Sequence, residues 1–167
     1  RMAQSNSFDV TTGVDLQEVD NAVNQAQKEI ATRFDFKGAN ATIEFSRDEG
    51  KLVLATDSEF RMRALFDILQ SRLIKRGVPV KNLDVGDTKP AGGDTVRKEI
   101  ALTMSLTGEV AKKVAAAVKE AKLKKVQTAI QGDQVRVSSP SKDDLQLAMA
   151  LLRSTDFGVE LKFGNYR

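Results

Sequence analysis

The chain has 167 residues, 29% charged and 41% hydrophobic, with a formal net charge of +3. That is a globular composition, and no apolar run approaches the roughly 20 residues of a membrane span. It has no cysteine and no histidine, which excludes disulfides, thiol chemistry, His-dependent nucleophile systems and Cys/His zinc sites.

The start, RMAQSNSFDV, has no apolar leader segment, so no signal peptide is expected and the expected location is the cytoplasm. Charge is uneven along the chain. Residues 1–90 hold 13 Lys/Arg against 14 Asp/Glu, and residues 91–167 hold 13 against 9. The second half is the better surface for phosphate.

In chain order, Phe8 and Val10 alternate with Ser7 and Asp9, which predicts a short strand. In VDLQEVDNAVNQAQKEIATRF, residues Leu16, Val19, Val23, Ala26 and Ile30 recur at steps of three and four, which predicts a helix opened by Asp15. Its register continues to Phe34 and places that ring in the core. ATIEFS and KLVLAT read as a hairpin around RDEG. Thr56 with Glu59 fits a capping box for a second helix that Gly77 ends. VPVKNLDV reads as a strand. GDTKPAGGD, residues 86–94, reads as a linker.

The order then repeats. Val96, Ile100, Leu102, Met104 and Leu106 mark a strand over 96–106, followed by an Ala/Lys-rich helix in GEVAKKVAAAVKEAK. VQTAIQ and QVRVSS flank a Gly132–Asp133 turn, SKDDLQLAMALLRS is a helix, and VELKFGNY is the last strand. The expected fold class is α+β. Each half is a ferredoxin-like split βαβ unit, βαββαβ, an antiparallel sheet with two helices on one face. The expected domains are 1–90 and 91–167.

Such a sheet leaves its second face open, the surface that RNA-recognition modules of this topology use. Here Phe45 and Phe163 share faces with apolar neighbours and point inward. Gln127, Gln131, Arg136 and Lys162 point outward, with Ala129 among them. Amides and Arg read base edges well, and Arg pairs bidentately with guanine. Arg33 and Lys37 in TRFDFKG, and Arg167 at the end, are further nucleotide-binding candidates. Lys75, Arg76, Lys124 and Lys125 are candidates for secondary phosphate contacts. The other lysines of the run, Lys112, Lys113, Lys119 and Lys122, read as a solvated helix face. No P-loop and no dinucleotide glycine motif is present. GGDT at 92–95 lacks the continuation of a diguanylate cyclase signature and is read as chance. Asp143 and Asp144 read as first-turn helix acids, so no catalytic residue, cofactor or metal site is expected.

SFDV, VDLQEVDNAVNQA, TRFDFKG, DILQSRLIKRG, LKKVQTAIQGDQVRV, KDDLQ and FGNYR, in that order, resemble the YajQ family of bacterial nucleotide-binding proteins. The resemblance runs from Phe8 to Arg167. It implies two ferredoxin-like domains that exchange N-terminal strands, residues 7–10 joining the second sheet and 96–106 the first. It implies a non-enzymatic binder of nucleotides or RNA; the charge and the outward residues themselves place the expected contact surface on the second half's sheet face and the edge facing the first half. In some members it implies a cyclic di-GMP effector that acts on a protein partner. A magnesium-dependent phosphodiesterase is the enzymatic alternative. Two departures stand out: SPSK at 139–142 where members tend to carry a basic GKKR, and VELKF where PLQF is usual.

Overall fold

The computed structural model describes residues 5–167; Arg1, which the first expected domain would include, lies outside them. The strands and helices are β1 (Asn6–Thr11), α1 (Leu16–Thr32), β2 (Thr42–Ser46), β3 (Lys51–Thr56), α2 (Glu59–Lys75), β4 (Leu83–Val85), β5 (Lys89–Ala91), β6 (Thr95–Leu102), α3 (Gly108–Glu120), β7 (Gln127–Gln131), β8 (Gln134–Ser139), α4 (Lys142–Ser154) and β9 (Lys162–Gly164).

Each helix opens on a side chain that accepts from its first turn, satisfying donors that have no partner inside the helix. Asp15 accepts from the Gln17 and Glu18 N–H groups, Ser58 from Arg61, Thr107 from Val110 and Ser141 from Asp144. The cap of α2 is therefore Ser58 rather than Thr56. Thr56 ends β3 with its side chain buried. Gly77, at φ 80°, ends α2, and the Val78 N–H returns to the Leu73 carbonyl.

The chain forms two compact units. One spans Val14–Thr103; the other joins Met104–Arg167 to the chain up to Gly13. In the 14–103 unit the sheet order is β2-β3-β6-β4, antiparallel throughout, with β5 pairing beside β4 on β6. Its core joins Val19, Val23 and Ala26 of α1 and Met62, Leu65 and Leu69 of α2 to Leu52, Leu54 and Ile100 of the sheet. In the other unit the order is β7-β8-β1-β9, again antiparallel. Phe8 and Val10 of β1 pack with Val135 and Val137 of β8, Val114 and Val118 of α3, and Leu145, Met149 and Leu152 of α4. Both are α+β units of the ferredoxin-like kind, with two helices against one face of an antiparallel sheet.

Several expected elements change. Residues 86–94 are a hairpin arm rather than a free linker, with β5 lying on β6 and Gly93 and Asp94 turning between them at φ 69° and 57°. The strand expected over 78–85 shrinks to β4, because Val80–Asn82 form a 3-10 turn and the buried Asn82 donates its Nδ2 to the Thr103 carbonyl. The last strand shrinks to β9, where Asn165 turns left-handed at φ 52°.

Phe34 does not enter the core. It is 88% exposed, whereas Phe36 is 5% exposed. The helical register stops at Thr32, Arg33 is extended (φ −79°, ψ 133°), and Phe34–Phe36 form a 3-10 turn. That change of backbone period swaps which ring faces inward. Phe36→Ala should therefore cost about 3–5 kcal/mol of unfolding free energy. Phe34→Ala should stay within about 0.5 kcal/mol of the parent. Urea denaturation of the two variants checks this; equal losses would contradict the burial assigned to each ring.

Candidate functional site

The free face of the β7-β8-β1-β9 sheet follows from strand register. Val10, Val135 and Phe163 share one row, and Phe8 and Val137 another; both rows face the helices. Phe8 and Phe163 meet edge to face at 5.7 Å between ring centroids. Alternation then sends the rows between them to the opposite face. Gln127, Ser138 and Ser7 form the first row, Ala129, Arg136, Asp9 and Gly164 the second, and Gln131 with Gln134 begins the third, beside Thr11 and Lys162.

At the centre of this face is a buried carboxylate. Asp9 is 4% exposed. It accepts from Arg136 Nε at 2.9 Å and Nη2 at 3.2 Å, and from Asn165 Nδ2 at 2.7 Å. Asn165 is brought there by a bulge. Gly164 pairs with Asp9, but the next backbone pair is Arg167 with Ser7, exchanging N–H···O contacts of 3.0 and 3.2 Å. Two residues thus oppose one, and the left-handed Asn165 takes up the excess. The Arg136 hydrogen bonds hold the Asp9 carboxyl below its ordinary 3.8 against the opposing effect of burial. Asn165 and the charges of Arg136 and Arg167 act in the same direction.

Five of the residues expected to bind ligand, Gln127, Gln131, Arg136, Lys162 and Arg167, therefore belong to the sheet of one unit, in rows around Asp9. Gln127, Gln131, Lys162 and Arg167 are exposed, and Arg136 is half-buried by its ion pair. Lys124 and Lys125 sit just before β7, with Lys125 left-handed at φ 66°.

The remaining candidates lie in the 14–103 unit. Arg33 is committed to Asp35, at 2.9 and 2.6 Å, with Glu29 at 3.6 Å, and it lies 5.7 Å from the Phe36 ring centre. Lys37 and Lys75 are exposed. Arg76 binds Glu18 at 2.9 Å and so ties the end of α2 to α1. The outer face of this unit's sheet is already neutralised, since Arg97 pairs with Glu99 at 3.0 Å and Lys51 reaches the same carboxylate at 3.7 Å.

Sequence reasoning missed Asp9 and Asn165, which read as ordinary residues of the first and last strands. Their partners are more than 120 positions away, beyond any local pattern. Gln134 and Ser138 were legible from the same alternation as Arg136. Among the described residues no group of three or more His, Cys, Asp or Glu converges as a metal site, and no helix is long and apolar enough to cross a membrane.

Two ferredoxin-like units, one with an open polar face built around a clamped carboxylate, define the class of protein. The chain belongs to the family described as nucleotide-binding protein YajQ-like, whose model matches residues 6–167. It is 48% identical over 166 residues to a nucleotide-binding protein of Desulfitobacterium hafniense, covering 99% of this chain and 100% of the relative. It is 47% identical over 166 residues to one of Desulforamulus reducens (99% of each chain) and 46% to one of Bacillus cereus (99% and 100%).

Because the folded carboxyl of Asp9 titrates below its unfolded value, its charge adds stability above the unfolded pKa, and that stability is lost as pH falls through the folded pKa. The gap in urea midpoint between the parent and Asp9→Asn should be constant above about pH 5 and shrink toward about pH 3. A gap that does not depend on pH would show that the ionised carboxylate contributes nothing.

Proposed function

We propose that this protein binds nucleotides without transforming them, and that the outward face of the β7-β8-β1-β9 sheet is where it does so. The observation that carries the reading is the composition of that face. It holds amides, hydroxyls and cations in register around Arg136, and its carboxylate is already neutralised by Arg136 and hydrogen-bonded by Asn165. A face of this kind offers hydrogen-bond donors and positive charge to a base edge and a phosphate. The unit that bears it has 12 Lys/Arg against 8 Asp/Glu over residues 1–13 and 104–167, an excess that favours anions. The names of these relatives, all nucleotide-binding proteins, support the same ligand class.

A non-catalytic role fits the residues. The face has no histidine or cysteine, and its one buried carboxylate is locked in an ion pair rather than poised as a base. None of the three outward rows holds an aromatic, and the exposed Tyr166 stands at the sheet edge between Asn165 and Arg167. The most exposed phenylalanines, Phe34 and Phe60, belong to the other unit. This favours edge-on hydrogen bonding over the base stacking that single-stranded RNA uses. Gln127 and Gln131, on either side of the Arg136 row, provide amides for two bases, and this supports a cyclic dinucleotide as the second reading.

The test is a titration of the whole chain with GMP, GTP, cyclic di-GMP and single-stranded RNA at several salt concentrations, followed by an assay for turnover with magnesium. Lys162→Ala and Gln131→Ala should each weaken the bound small ligand by about three- to tenfold with no change in thermal midpoint. Arg136→Ala should weaken binding and also lower the midpoint, because it uncovers Asp9. If these variants keep full affinity while Phe34→Ala or Phe60→Ala loses it, the ligand stacks on the other unit and the sheet-face reading is wrong. A steep salt dependence with RNA alone would make a polymer the ligand. Hydrolysis abolished by an Asp or Glu substitution would make the protein an enzyme.

A further inference from the structure

Each of the two sheets has two outer edges, and three of the four carry devices that keep further strands from adding. β2 has the exposed Glu44 at its centre. The edge made by β4 and β5 is interrupted between Val85 and Lys89 and contains Pro90. β9 is three residues long and runs into the bulge at Asn165. β7 has none of these. Its residues, QTAIQ, include no charge, proline or glycine, and they pair one to one with β8 along their whole length, without a bulge. Among the described residues no other strand pairs with it.

The open side of β7 offers backbone groups. The two-residue turn at Gly132–Asp133 makes Gln131 and Gln134 the closing hydrogen-bonded pair, so alternation turns the N–H and C=O of Thr128 and Ile130 away from β8. The side chains of the same two residues stand in the helix-facing row, opposite Val137 and Val135. Ile130 is nonetheless 46% exposed. Beside them a hollow of about 410 Å³ opens between the end of α3 and the start of β7, lined by Val118, Lys119, Leu123, Val126, Gln127 and Thr128. Around it the charge has one sign. Over residues 119–125 the exposed Lys119, Lys122, Lys124 and Lys125 stand against Glu120 alone. Unpaired backbone groups, an apolar hollow beside them and a cluster of cations at one end thus coincide on one segment.

We infer that β7 is a docking edge for an extended, acidic segment of a partner protein, which adds to the four-stranded sheet as a fifth strand. The segment runs antiparallel to β7, as every other pair in this sheet does. Its backbone meets Thr128 and Ile130, and its apolar side chains cover Ile130 and enter the hollow. Acidic residues at its C-terminal end then reach the lysines of 119–125, because antiparallel pairing sets that end beside the start of β7. Charge complementarity selects this occupant over a second copy of the chain, whose QTAIQ has no carboxylate to offer those lysines. Free backbone groups and an apolar hollow suit a peptide strand better than a polyphosphate. The edge is separate from the nucleotide face, which uses the other row of the same strands, so the inference does not rest on that reading.

The experiment titrates the whole chain with end-blocked fluorescent peptides and reads anisotropy. The first probe is Thr-Val-Thr-Ile-Thr-Asp-Glu-Glu, the second has the same residues with the acids moved to the start, and the third is Glu alone at equal length. The first should bind about tenfold tighter than either of the others. Thr128→Pro removes an outward N–H and leaves the ladder to β8 intact, since proline is tolerated where the N–H faces away from the sheet. It should weaken the first probe about tenfold while the thermal midpoint stays near the parent's. Ile130→Lys blunts the same edge by charge and should act alike, which keeps the test open if the proline variant melts early. Lys119→Glu combined with Lys124→Glu should abolish the preference for acids at the C-terminal end. If both edge variants bind the first probe as the parent does, or if the parent binds none of the probes, the inference is overturned. Equal affinity for the Glu peptide would show that the lysines attract any polyanion, and equal affinity for the second probe would refute the antiparallel strand; either overturns it. A parent dimer in sedimentation that Thr128→Pro converts to a monomer would assign the edge to a second copy and overturn it as well.

Discussion

The ion pair of Asp9 with Arg136 organises the functional unit. A carboxylate on a central strand that is 4% exposed would be costly if left unpaired. Its three hydrogen bonds come from β8 on one side and from the bulge after β9 on the other. One side chain thereby couples three strands on the face that has no helix, while Phe8 and Val10 on the same strand couple them on the face that does. The two sets reinforce one register. A slip of one residue would bury Asp9 among the helices and expose Phe8.

The same clamp shapes the surface around it. Arg136 is drawn down onto Asp9, so the centre of the face carries a held guanidinium instead of a mobile one. Ala129 and Gly164 lie at the ends of that row and add little bulk, while the amides and hydroxyls stand in the rows on either side. Pre-organised polar groups lose less entropy on meeting a ligand. The sheet of the 14–103 unit contrasts with this: its outer cations are spent on Glu99 and its outer positions include Val53 and Ala55. Two units of one topology thus present different chemistry, because fold and site are separable.

TRFDFKG shows how far pattern reading reaches. The helical register read from the sequence runs on to Phe34, whereas α1 ends at Thr32 and Arg33 serves just beyond it, bound to Asp35 and Glu29. The ring that fills the core is nevertheless Phe36, because a single 3-10 turn changes the period from 3.6 to 3.0 within three residues. Periodicity predicts the face of a residue only while the backbone type stays constant.

The four helices, the hairpins β2–β3 and β7–β8, and the inward set Val19, Val23, Val114, Val135 and Val137 were legible in the sequence. They depend on neighbours within a few residues, through periods of 3.6 and 2 and through capping and turn residues. So were the outward positions Gln127, Gln131, Arg136 and Lys162, which follow from alternation once the strands are known. The sheets that receive β1 and β6 were implied by the family resemblance and by no local pattern; tertiary structure alone decided that Arg136 is clamped rather than free and that Asn165 belongs to the polar face. A strand's own residues specify its two faces but not its neighbours at either edge. Those are chosen by hydrogen bonds and packing between residues such as Asp9 and Asn165, which are 156 positions apart and carry no local signature of each other.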